Sequence, residues 1–119
     1  MSDAWPTELR LTEHGRNLKV SFENGGQFDI PAELLRVESP SAEVKGHGPG
    51  QEQLVFGKRF VSVTKIEPVG TYAVRLFFSD GHSTGIFTWP YLEKLGAERE
   101  TLWSSYLAQL VAAGRSREP

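Results

Sequence analysis

Near the start of the chain, apolar side chains recur at every second position. Leu9 and Leu11, then Leu18, Val20 and Phe22, alternate with polar neighbours, the period of a strand with one face buried. His14-Gly15-Arg16 separates the two runs and reads as a short hairpin connection. At Asn24-Gly25-Gly26, glycine accepts the positive φ of a tight turn at little steric cost. A third short strand, 27–30, is expected to pair back. Pro31 suits the first turn of a helix and Glu33 its positive end, which predicts a short helix over 31–36.

The same signals return further on. Phe60 to Ile66 alternates as a half-buried strand, Pro68-Val69-Gly70 punctuates it, and Tyr72 to Phe78 reads as the next strand. Ser79-Asp80-Gly81-His82 is the strongest hairpin signal in the chain, because Asp-Gly favours the type I′ turn. The returning strand runs to about Phe87, Thr88 is placed to cap a helix, and Pro90 falls in its first turn. VSFENGGQFDIPAELL and RLFFSDGHSTGIFTWPYLEKL thus share one order of strand, glycine turn, strand and proline-started helix.

Glu98 to Ala113 follows as an amphipathic helix. Leu102, Trp103, Tyr106, Leu107, Leu110 and Val111 form its apolar stripe, and Gly114 is placed to end it. The stripe either packs on the sheet or, through Trp103 and Tyr106, offers a dimer or partner surface. Residues 115–119 are expected to fray. The fold class predicted is α+β: a small antiparallel, mainly β domain of two strand-turn-strand-helix units plus a C-terminal helix. The 119 residues read as a single domain, with a β-rich core over 7–96 and the helix over 97–114.

Composition narrows the function classes. No cysteine is present, which excludes disulfides, thiolate catalysis and thiolate ligation of zinc or iron–sulfur clusters by this chain. Thirteen basic and fifteen acidic residues give a net charge of −2, which points to a mixed solvated surface and away from nucleic acid. MSDAWPTELR has no signal-peptide pattern and no apolar run is long enough to span a bilayer. A cytoplasmic protein without membrane contact is expected.

Between the two units lies LRVESPSAEVKGHGPG, a long polar stretch rich in proline and glycine, the kind of loop on which function commonly sits. His14, His47 and His82 are the only histidines, and none has the paired helical spacing of a zinc site. His47 lies in Gly46-His47-Gly48-Pro49-Gly50, where the backbone can approach another molecule closely or wrap an edge of its own domain. No phosphate-loop signature is present. Ser39 and Ser41 lack a nucleophile-elbow context, and Glu38 and Glu43 suit a solvated loop as readily as a catalytic pair. Trp5, Trp89 and Tyr91 read as core or rim aromatics.

Together, LRVESPSAEVKGHGPG and VTKIEPVGTYAVRLFFSDGHSTGIFTWPYLEKLG resemble the gamma-butyrobetaine hydroxylase-like N-terminal domain family, closest to its small bacterial stand-alone members of unknown function. The resemblance implies a compact, mainly β domain. In the hydroxylases the domain precedes an iron- and 2-oxoglutarate-dependent catalytic domain, which this chain has no room for after Gly96. It also implies a zinc site of three cysteines and a histidine, following a Leu-Arg pair like Leu35-Arg36. Ser39, Ser41 and Val44 stand at the cysteine positions and His82 at that of the histidine, so no metal or other cofactor is expected. The same domain type occurs fused to P-loop ATPases that carry iron–sulfur clusters, which implies an accessory role in cluster assembly through such a partner.

The reading that follows is a non-enzymatic binding or adaptor module, monomeric or weakly dimeric. Its candidate contact surface is Arg36, Ser39, Ser41, Glu43, His47, Asp80 and His82. A second reading is a small-ligand or metal-responsive domain using His47 and His82. Further alternatives are an unrecognised enzyme, for which no nucleophile–base or acid–base constellation can be assembled, and a regulatory remnant of a 2-oxoglutarate-dependent hydroxylase.

Overall fold

The computed structural model describes residues 5–41 and 54–119. Strands β1 (Pro6–Thr12), β2 (Asn17–Phe22) and β3 (Gln27–Pro31) form an antiparallel sheet in that order. The register sets Leu11 beside Leu18 and Leu18 beside Ile30, with Leu9, Val20 and Phe28 in the next row. Leu18, Val20 and Ile30 are fully buried, so the alternation in the sequence has become one buried face. Helix α1 (Ala32–Val37) follows, its first amide bonded to the Arg16 carbonyl.

The connection from β1 to β2 is longer than a two-residue hairpin loop and turns through the left-handed region. Glu13, His14 and Gly15 are all left-handed, with φ of 53°, 60° and 82°. Side chains in that region cost roughly 1–2 kcal/mol per residue. Gly15 is buried against the second sheet, and a Cβ there would lie 2.4 Å from the Val63 carbonyl oxygen.

A second antiparallel sheet runs β4 (Val63–Val69), β5 (Ala73–Phe78), β6 (Ile86–Thr88), and leads into α2 (Trp89–Ala97). Thr88 caps α2 as expected, its Oγ1 accepting from the Tyr91 amide at 3.3 Å. Two details differ from the sequence reading. The strand begins at Val63 instead of Phe60, whose exposed ring lies between the Arg16 and Arg59 guanidiniums at 5.6 and 5.8 Å. Pro68 lies inside β4 opposite Val74, a position open to proline because β4 is an edge strand.

The two hairpin turns match closely. In Phe22–Gly26 the Phe22 amide donates to the Gly26 carbonyl and the Gly25 amide to the Phe22 carbonyl, at 2.8 and 3.0 Å. In Phe78–His82 the same two bonds measure 2.9 and 3.0 Å. Asn24 and Asp80 each accept from the amide two residues on, and Gly25 and Gly81 both have φ of 92°. Only the glycine is left-handed, so Asp80-Gly81 makes a three-residue loop with a bulge and not the type I′ turn expected.

Helix α3 (Arg99–Ala113) ends at Gly114, φ 65°. Tyr106 and Leu110 are buried and Leu102 and Trp103 pack on the core, whereas Leu107 and Val111 face outward. Tyr106 donates to the Val55 carbonyl at 2.8 Å, and Trp103 lies beneath the Arg117 guanidinium at 5.0 Å. The expectation of a frayed end is not met. Gly57 and Arg59 donate their amides to the Ser116 and Arg117 carbonyls, both at 3.0 Å. Arg117 also clasps the buried Glu33 carboxylate with bonds of 2.8 and 3.0 Å. Among the described residues, both sheets and all three helices contribute to one hydrophobic core. Among the described residues no helix is long and apolar enough to cross a membrane.

Candidate functional site

The C-terminal end of α1 meets the second hairpin turn at a small polar knot. Ser39 is fully buried, Ser41 and His82 nearly so. His82 Nε2 lies 2.9 Å from Ser39 Oγ and 3.4 Å from Ser41 Oγ, and the two hydroxyls are 3.5 Å apart. The imidazole also packs on Phe78, with ring centroids 5.9 Å apart. Gly85 makes this approach possible: a Cβ there would stand 2.2 Å from Ser39 Oγ. Tyr91 adds a further tie by donating its hydroxyl to the Glu38 carbonyl. Burial, reinforced by the nearby Glu38 charge, pushes the Tyr91 phenol up to about 12.

Outside the knot is a charged rim. The Asp80 carboxylate accepts from Arg36 Nε at 2.8 Å and Lys58 Nζ at 2.6 Å, and its other oxygen takes the His82 amide at 3.0 Å. Burial alone would raise the Asp80 pKa. The bonds from Lys58, the His82 amide and Arg36 outweigh it and hold the carboxyl at about 2. Among the described residues, Arg36 Nη1 is buried without a hydrogen-bond partner, an unmet donor of the kind that costs about 1–3 kcal/mol.

The candidate residues therefore separate into inner and outer groups. Ser39, Ser41 and His82 converge, but inside, so they do not form a contact surface. A hydroxyl 2.9 Å from an imidazole has the spacing of a nucleophile and its base. Ser39, however, has no accessible surface, and the pair acts as a clamp between two segments. Arg36 and Asp80 are brought together at the rim. Glu43, Val44 and His47 lie outside the described residues, and with them the proposed meeting of His47 and His82. His14 is exposed in the left-handed turn. The site also includes Lys58 and Gly85. Lys58 carries no sequence signal, while Gly85, between a hairpin and a strand, is where a close backbone approach is commonly marked.

Residues 9–93 match the family model described as gamma-butyrobetaine hydroxylase-like, N-terminal. The chain belongs to this family. Two solved relatives in the family's fold are NMR solution structures. One is 50% identical, with a TM-score of 0.85 over 100% of this chain and 89% of the other. The second is 44% identical, with a TM-score of 0.84 over 98% and 91%. A crystal structure from Acidithiobacillus ferrooxidans, a protein of unknown function of the DUF971 family, is 46% identical, with a TM-score of 0.65 over 78% and 93%. No curated protein matches the chain.

For a gamma-butyrobetaine hydroxylase-like N-terminal domain, the knot stands where the resemblance places zinc. The donor set does not fit that metal. Ser39 and Ser41 supply neutral hydroxyls in place of thiolates, and both lie within hydrogen-bonding reach of His82 Nε2. Val44 has no donor atom. Among the described residues no cluster of three or more His, Cys, Asp or Glu side chains is suited to a metal ion.

Proposed function

We propose that this chain is a non-enzymatic adaptor that docks a protein partner through the Arg36–Lys58–Asp80 rim. The partner class proposed is an iron–sulfur carrier P-loop ATPase. One observation carries the reading: two cations share a single carboxylate over a buried, clamped base. The knot beneath keeps the rim pre-organised, which lowers the cost of binding. The ATPase comes from the fusion pattern of the family, an argument by analogy. Because the chain has no cysteine, thiolate ligands for a cluster belong to the partner.

The test is anaerobic affinity capture of the ATPase by the full chain, compared with Lys58→Glu and Arg36→Gln variants whose folded state is verified by NMR. Enrichment by the wild type and loss in both variants is expected. No enrichment, or equal retention by the variants, would overturn the reading.

A further inference from the structure

The register of the first sheet assembles something that no local stretch of sequence contains. Arg10, Lys19 and Asp29 stand side by side across β1, β2 and β3 on its outer face. Arg10 and Lys19 are directly opposite, and like charges so placed oppose strand pairing. Arg16, just past the left-handed turn, and Arg99, at the start of α3, line the same open groove, a cavity of about 570 Å³. Among the described residues Glu13 and Asp29 are its only acids, so four cations face two carboxylates in a chain whose net charge is −2. Among the described residues none of the four cations is in an ion pair. Arg16 rests over Phe60, Arg99 donates to the Asp29 backbone carbonyl at 2.7 Å, and the Asp29 carboxylate accepts from Asn17.

Beside this groove, sharing Pro31 and Arg99 with it, is a smaller hollow of about 150 Å³ against Leu34 and Trp103, with Glu100 also in its lining. We infer that the outer face of the first sheet receives an acidic, extended segment of another protein that carries one apolar side chain. Its carboxylates pair with Arg10, Lys19 and Arg99, guanidinium groups being matched to carboxylates in bidentate geometry, and its apolar side chain fills the hollow. A nucleic-acid strand suits the groove less well. Its regularly spaced phosphates meet Asp29 and Glu13 among the cations, whereas a peptide can space its charges to avoid them. Free phosphate leaves the apolar hollow unused. This surface shares no residue with the Arg36–Lys58–Asp80 rim, so the two tests fail independently.

The experiment follows amide shifts of the isotope-labelled full chain on titration with a short synthetic peptide of alternating Glu and Ser around one central Phe. Its Gln-for-Glu counterpart, an oligothymidine and inorganic pyrophosphate are titrated in parallel. Shifts centred on Arg10, Lys19 and Arg99 are expected, lost with the Gln peptide and weakened by salt. Arg10→Glu with Lys19→Glu should weaken the Glu peptide at least about tenfold. Arg10→Glu alone also turns a repulsive cross-strand pair into an attractive one. It should raise thermal stability while lowering affinity, which separates lost binding from lost folding. Shifts that are absent or centred elsewhere would overturn the inference. So would unchanged affinity in the double variant, or tighter binding of oligothymidine or pyrophosphate than of the Glu peptide.

Discussion

Gly85→Ala probes the knot through a single methyl group. Gly85 is not in the left-handed region, so the substitution brings no backbone strain and its effect is steric. The new Cβ would stand 2.2 Å from Ser39 Oγ, 3.2 Å from Phe87 Cε1 and 3.4 Å from Ser39 Cβ. To make room, the Ser39 hydroxyl must leave its 2.9 Å contact with His82. Overpacking costs about 1–3 kcal/mol, and a buried polar group stranded by the move adds about 1–3 kcal/mol. Because the hydroxyl can escape part of the overlap by rotating, a total of about 3 kcal/mol is expected. Ser39→Ala alone should cost only about 1 kcal/mol, since Ser41 Oγ at 3.4 Å can take over the imidazole nitrogen. In the double variant the closest atom is gone, and what remains needs shifts of a few tenths of an ångström. The pair should therefore be less destabilised than additivity requires, by about 2 kcal/mol. Urea unfolding followed by the fluorescence of the three tryptophans reads each free energy at constant m. Additivity within about 0.5 kcal/mol would show that Ser39 Oγ and Gly85 are not in the contact described.

Two further perturbations test the surroundings. Arg117→Ala leaves Glu33, 5% exposed, without its clasp. Stranding a buried charge costs about 3–5 kcal/mol, and the partial exposure of Arg117 reduces the expected loss to about 2 kcal/mol. Adding Glu33→Gln should recover part of it, and wild-type urea stability of Arg117→Ala would refute the anchoring of the tail. The Asp80 carboxyl is held at about 2, below its ordinary 3.8, so its stabilisation is present above the unfolded value and is lost as pH falls through the folded one. Asp80→Asn should thus be less stable than wild type near neutrality, with the gap closing between about pH 5 and pH 2. A constant gap across that range would refute the assignment.

The apolar alternation at Leu18 to Phe22 and Val74 to Phe78 made both sheets readable, because a period of two has one structural meaning in a short run. Loop geometry was less legible. Asp80-Gly81 fits two turn types, and the register of flanking strands decides between them. Ser39, Ser41 and His82 could be associated only through the family resemblance, and nothing local marks them as buried, since serine and histidine in a polar stretch ordinarily meet water. The tail departs from expectation for a similar reason: RSREP looks terminal and polar, yet Arg117 finds its acid 84 positions away. The cationic groove depends on Arg10, Lys19 and Arg99 meeting across strands and a helix start, which composition averages away.

The paired turns FENGG and FSDGH have one more consequence. Their backbones make the same bonds, yet the residue after the left-handed glycine is Gly26 in one and His82 in the other. One turn has a bare position where its counterpart carries an imidazole. New chemistry of this kind needs no change in the scaffold, because the hydrogen bonds that define the turn use only the main chain of that residue. The same turn can therefore present either bare backbone or a titratable ring at one position, with its main-chain bonds unaltered.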